Sequence, residues 1–99
     1  MTTPEGKVKR KVSALLKEYA PDLYYFMPVP SGLGESSLDY LGCANGDFFA
    51  VETKAPGGKP TPRQQMTINM IENAGGKVFV ISDDAGLHRL KNWLDATVI

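Results

Sequence analysis

Three residues in the middle of the chain have the side-chain types that phosphodiester chemistry needs: Asp39, Glu52 and Lys54. Two carboxylates can hold a hard divalent cation. Magnesium takes only one or two of them and keeps several waters, which leaves room for a phosphate oxygen. A cation held in this way polarises a phosphate and lowers the pKa of a bound water. A lysine beside it can position that water, help to deprotonate it and offset charge developing on the phosphorane. Asp, Glu-x-Lys and a metal are therefore sufficient parts for phosphodiester hydrolysis.

Whether these parts meet depends on the segment that carries them. Two apolar runs, Leu38–Ala44 and Asp47–Thr53, flank Asn45-Gly46. Asn-Gly between strands marks a hairpin, because both central positions of a type I′ turn need positive φ. With those two residues in the turn, Ala44 faces Asp47, Cys43 faces Phe48, Leu41 faces Ala50 and Asp39 faces Glu52. Opposed residues have Cβ atoms roughly 4.5–5.5 Å apart on one face of the sheet, and Lys54, two positions beyond Glu52, projects from that face too. Two opposed carboxylates repel unless something is bound between them. The opposite face carries Leu38, Tyr40, Phe49 and Val51 and reads as core, whereas Leu41, Cys43, Phe48 and Ala50 surround the charged residues. A competing reading is an exposed, salt-bridged strand pair in which Lys54 neutralises Glu52. A register shift of one residue would move Asp39 to the other face and remove the site.

The flanking elements follow from local signals. Pro4 suits the first turn of a helix, and Val8, Val12, Leu15, Leu16 and Tyr19 recur at helical spacing, so a helix is expected over roughly 4–19. Leu23–Met27 reads as a strand, and the Pro, Gly and Ser content of 28–37 reads as a loop. After a second loop at 55–60, Thr61-Pro62 resembles an N-cap and first helical residue. Met66, Met70, Ile71 and Ala74 then support a helix ending at Gly75-Gly76. Val78–Ile81 is a short apolar strand, and Ser82 or Asp83 starts a last helix carrying Leu87, Leu90 and Leu94. The order of elements predicts a small α/β fold with a mixed sheet. The helix from Thr61 to Ala74 serves as a crossover that makes Val78–Ile81 parallel to the second hairpin strand.

At 99 residues the chain accommodates one domain, 1–99, and its 42% hydrophobic and 22% charged residues are those of an ordinary globular protein. A core of this size is small, which leaves dimerisation open as a way to bury more apolar surface. Cys43 is the sole cysteine, so an intrachain disulfide and a cysteine-based zinc site are excluded and a reducing, cytoplasmic setting is expected. No secretory signal or membrane-spanning segment is legible. Formal net charge is zero, but Lys7, Lys9, Arg10, Lys11 and Lys17 stand against Glu5 alone in the first seventeen residues. They read either as a solvated helix face or as a phosphate-contacting surface.

Other residues have plainer readings. His88, beside Arg89, reads as a surface or partly buried residue rather than a catalytic base, and Cys43 as a small apolar filler. Met66 and Met70 read as core or interface, and Trp93 as core with Leu90 and Leu94. Gly32-Leu33-Gly34 is a linker or a place where backbone amides could approach a phosphate.

Asp39 followed thirteen residues later by Glu52-Thr53-Lys54 resembles the PD-(D/E)XK nuclease superfamily. More narrowly the chain resembles the VRR-NUC family, in which a glutamate opens the first helix and a Ser-Pro-x-Gln-like motif follows the E-x-K strand. Glu5 and Thr61-Pro62-Arg63-Gln64 occupy those places, and Gly75-Gly76 and the strand after it continue the match. Leu38 stands where the superfamily often has proline. The resemblance implies a restriction-endonuclease-like core, with the hairpin 38–54 in a mixed sheet flanked by helices. It implies cleavage of DNA dependent on Mg²⁺ or Mn²⁺, with Asp39, Glu52 and Glu5 toward the metal and Lys54 and Gln64 in catalysis. DNA would be contacted by Lys7, Lys9, Arg10, Lys11 and Arg63. For stand-alone members it further implies a homodimer acting on branched DNA such as four-way junctions. The alternative function is a non-catalytic DNA-binding or protein-interaction module that retains the nuclease fold.

Overall fold

A computed structural model describes residues 3–29 and 37–98. Gly32-Leu33-Gly34 and most of the expected 28–37 loop lie outside the described residues.

The chain runs α1 (Pro4–Lys17), β1 (Leu23–Phe26), β2 (Tyr40–Ala44), β3 (Asp47–Thr53), α2 (Pro62–Asn73), β4 (Lys77–Ile81) and α3 (Asp84–Thr97). The strands form one mixed sheet in the order β1-β2-β3-β4. β1, β2 and β3 pair antiparallel and β4 lies parallel to β3, as the α2 crossover requires. The element order matches the reading of the sequence, with ends trimmed: α1 stops at Lys17 and β1 at Phe26.

Local chemistry sets the boundaries. Asn45 (φ 48°) and Gly46 (φ 90°) both adopt positive φ, so the β2–β3 turn has the conformation that Asn-Gly favours. The register is the expected one, with Ala44 opposite Asp47 and Tyr40 opposite Val51. All three helices begin with a side-chain cap: Thr3 accepts from the Gly6 amide, Thr61 from Gln64 and Asp83 from Gly86. Gly75 (φ 94°) follows the end of α2, where a left-handed residue closes the helix.

Two apolar clusters fix the layers. On one face of the sheet, Val12, Leu15 and Leu16 of α1 and Leu90 and Leu94 of α3 pack over Tyr40, Phe49, Val51, Phe79 and Ile81. Trp93 closes that cluster, its ring 5.8 Å from Phe49 and 5.7 Å from Phe79. On the other face, among the described residues, α2 is the helix that contributes, with Ile68 packed over Ala50 and Leu38.

The structure corrects three expectations here. Leu38 does not join Tyr40, Phe49 and Val51; it packs in the α2 cluster. The β2 ladder begins only at Tyr40, so strand alternation does not govern residue 38. Met66 and Met70 are exposed, which overturns the core half of their core-or-interface reading. Ile68 is the buried residue of α2, and a two-residue step from it turns a little over half a helical turn, to the opposite side. Cys43 is exposed rather than filling the interior.

Candidate active site

The candidate site lies where β3 leaves the ladder. The last β2–β3 pair is Tyr40 with Val51, and the backbone groups just past it still need partners. Side chains supply them. The Asp39 amide donates to Glu52 Oε1 at 3.3 Å. The Thr53 amide donates to Asp39 Oδ2 at 2.9 Å, and the Thr53 hydroxyl donates to the same oxygen at 2.6 Å. Asp39 and Glu52 are thus neighbours past the last ladder pair, linked through carboxylates instead of a backbone pair; the Asp39 carboxylate turns to Thr53 and to Lys9 of α1, whereas that of Glu52 turns to Gln64 of α2. On the other side of β3 the Lys54 amide donates to the Ile81 carbonyl at 2.9 Å, which holds the end of the E-x-K segment against β4.

The start of α2 brings in Gln64. Thr61 and Gln64 form a capping box, with the Gln64 amide donating to Thr61 Oγ1 at 3.2 Å and the Thr61 amide donating to Gln64 Oε1 at 2.9 Å. Gln64 Oε1 being occupied in this way, its Nε2 faces the sheet and donates to Glu52 Oε2 at 2.8 Å. One residue therefore ends the helix's need for a cap and orients the carboxylate. Arg63, next to it, is exposed.

Two lysines complete the arrangement. Lys54 Nζ lies 3.5 Å from Glu52 Oε2. Lys9 Nζ lies 3.7 Å from Asp39 Oδ1 and 3.8 Å from Glu5 Oε2. α1 is pinned at this point by Tyr40, whose hydroxyl donates to the Lys9 carbonyl at 2.9 Å. The single phenolic proton being used there, Ser13 donates to Tyr40 at 2.7 Å.

Burial pushes the Glu52 carboxyl above its ordinary range, and the charge of Asp39 pushes it further. Lys54 and the Asp39 amide act in the other direction. Glu52 is 3% exposed, so desolvation outweighing one ion pair is the physically expected result.

The donor set suits a hard divalent cation. Both acids offer oxygen ligands, and each carboxylate has about four lone-pair sites, only some of which the protein uses. Asp39 Oδ2 is committed to Thr53, and Oδ1 lies 3.7 Å from Lys9 Nζ. Three carboxylates (Glu5, Asp39, Glu52) against two ammoniums (Lys9, Lys54) leave one negative charge in excess. Among the described residues, no three His, Cys, Asp or Glu side chains gather as a metal-holding group. Two carboxylates with water completing the shell remain a normal magnesium arrangement.

Of the residues named from sequence, Asp39, Glu52, Lys54 and Gln64 converge, and Glu5 joins them through Lys9. Lys9 belongs to this network. Lys11 pairs with Asp84 at 3.0 Å on the α3 side, while Lys7 is exposed. Lys7 and Lys11 border a hollow of about 410 Å³ between α1 and the start of α3, which Asp39, Glu52 and Lys54 do not line. His88 is on the surface of α3. Reasoning from sequence missed Thr53, Tyr40 and Ser13 as parts of the site. A hydroxyl ending the buried run Phe49–Val51 was a usable signal for Thr53; nothing local marked the other two.

Neither protein-family models nor curated proteins give a match to this chain.

Proposed function

We propose that this chain is a metal-dependent DNA endonuclease of the VRR-NUC branch of the PD-(D/E)XK superfamily, acting on branched DNA. The observation that carries the proposal is a nearly buried Glu52 whose two oxygens are oriented by Asp39 and Gln64, with Lys54 beside it. Keeping an ionisable acid at a desolvated strand end, next to a second acid, opposes stability unless the pair binds something.

Asp39 and Glu52 would hold Mg²⁺ or Mn²⁺, which supplies Lewis-acid polarisation of the scissile phosphate and a more acidic water. Thr53 locks Asp39 Oδ2, so Oδ1 is the oxygen presented outward. Gln64 holds Glu52 Oε2 in place and limits its rotation. Lys54 donates protons in hydrogen bonds to the attacking water or to a non-bridging phosphate oxygen, and its charge offsets that of the pentavalent state. Lys9 bridges Asp39 and Glu5, screening their mutual repulsion, and would lie near a neighbouring phosphate. The first turn of α2 carries Gln64, so its neighbour Arg63 would contact the DNA backbone beside the site.

A second reading has its own support. The lysine–carboxylate network is closed through direct ion pairs, which a non-catalytic module with this fold would also need. Incubating a labelled four-way junction, a flap and a linear duplex with the protein, with and without Mg²⁺ or Mn²⁺, separates the two. Metal-dependent cleavage that Asp39→Asn abolishes is expected. Binding without cleavage under every metal condition would favour the module.

A further inference from the structure

Lys9 is held differently at its two ends. Its backbone is fixed: the hydroxyl of the fully buried Tyr40 donates to the Lys9 carbonyl at 2.9 Å, and Ser13 donates to Tyr40 at 2.7 Å. Its ammonium is held far less firmly. It lies 3.7 Å from Asp39 Oδ1 and 3.8 Å from Glu5 Oε2, on a side chain that is 37% exposed. Ion pairs of this length at a partly open surface hold a side chain weakly. Lys54 contrasts with it. Its side chain is 16% exposed, against a Glu52 side chain at 4%, and its amide is bonded to β4. Of the two site lysines, Lys9 is the one whose ammonium can leave while the chain that carries it stays in place.

Charge balance decides when it leaves. Glu5, Asp39 and Glu52 against Lys9 and Lys54 carry one negative charge in excess. A divalent cation held by Asp39 and Glu52 turns that into one positive charge in excess, with Asp39 Oδ1 contested by the cation and the ammonium. Release of Lys9 restores neutrality and relieves the repulsion between the two cations. The freed ammonium rides on a flexible four-carbon stem, in a stretch of α1 that also carries Lys7, Arg10 and Lys11. Phosphate is the anion that such a point charge suits. We infer that Lys9 is a metal-released phosphate contact. Its ammonium rests on Asp39 and Glu5 when no divalent cation is bound, and passes to a DNA phosphate once the cation binds. Metal and DNA binding then reinforce each other, a regulation of the proposed nuclease site that rests on that reading. Linkage makes the effect reciprocal: the factor that metal adds to DNA affinity, DNA adds to metal affinity.

The test is the salt dependence of DNA binding, because each phosphate neutralised on a duplex adds about 0.9 to the slope of log affinity against log salt. Anisotropy of a labelled four-way junction gives that slope for wild type and Lys9→Met, in EDTA and in saturating Ca²⁺, with denaturing gels checking that the junction stays whole. Release of bound Mn²⁺ by Ca²⁺, read by electron paramagnetic resonance, shows that Ca²⁺ fills the site. Methionine is a good helix former, so circular dichroism of the variant should match wild type; should it misfold, Lys9→Gln makes the same comparison. Lys17→Met, at the end of α1, controls for the loss of a helix charge. The slopes of wild type and Lys9→Met should agree in EDTA and differ by about 0.9 in Ca²⁺, wild type being steeper. Lys17→Met should show no difference that depends on metal. Slopes that agree in both conditions, or differ equally in both, overturn the inference, since Lys9 then contacts phosphate never or always. A wild type that binds no Mn²⁺ overturns it together with the metal site. Metal binding with the expected slopes but no cleavage in Mg²⁺ supports it and sinks the nuclease reading alone.

Discussion

Replacing Glu52 with glutamine tests whether its carboxylate is there for chemistry or for the fold. The change is nearly isosteric. It removes a charge that burial and Asp39 both disfavour, and it also removes the partner of Lys54 at 3.5 Å. Because the folded-state pKa of Glu52 is raised above 4.5, the folded protein holds its proton more tightly than the unfolded chain does. Stability from this group therefore falls as pH rises from about 4.5 through the folded pKa, and is level above it. Each tenfold difference in proton affinity between the two states is worth about 1.4 kcal/mol. Glu52→Gln should lose that fall. Without metal at pH 7 it should match or exceed wild type in stability, since the Lys54 ammonium can turn toward solvent. Urea unfolding at several pH values in EDTA measures this. Added Mg²⁺ should then stabilise wild type alone, by about 1.4 kcal/mol at tenfold excess over its dissociation constant. A variant destabilised by more than about 1 kcal/mol at pH 7, with the wild-type pH slope unchanged, would refute the reasoning and make Glu52 a structural ion-pair partner.

Further outcomes follow from the same geometry. Lys54→Ala should bind DNA but cleave it about a hundredfold more slowly, as loss of one transition-state donor does; unfolding of this variant would make Lys54 structural. Thr53→Val removes the hydroxyl bond to Asp39 Oδ2 and should lower stability by roughly 1.5–3 kcal/mol in urea unfolding. Its Mn²⁺ affinity should also fall, as read by electron paramagnetic resonance of the free ion. Lys9→Met removes a cation competing for Asp39 Oδ1; Mn²⁺ should bind it several-fold more tightly, and weaker binding would show that Lys9 supports the site instead.

Much of this protein was legible in its sequence because the deciding signals are short-ranged. Asn45-Gly46 dictates a tight turn through backbone sterics alone, and the turn determines which residues oppose each other as far as Tyr40 and Val51, one step short of Asp39 and Glu52. Thr61, Pro62 and Gln64 form a cap within four residues, and a connection that returns through the α2 helix makes β4 parallel to β3. These suffice for the mixed sheet and for placing Asp39, Glu52, Lys54 and Gln64 together. What the tertiary structure alone decided is which surfaces are covered and by what. Lys9 reads as one of several basic residues until α1 packs against the end of β2 and brings it to Asp39. Leu38 follows the α2 cluster because its ladder ends at Tyr40. Met66 and Met70 have helical spacing suited to a core, yet the phase that buries Ile68 turns them outward. The raised pKa of Glu52 likewise comes from burial. Periodicity says that a face is apolar; only the layers packed around it determine whether it is filled or left open.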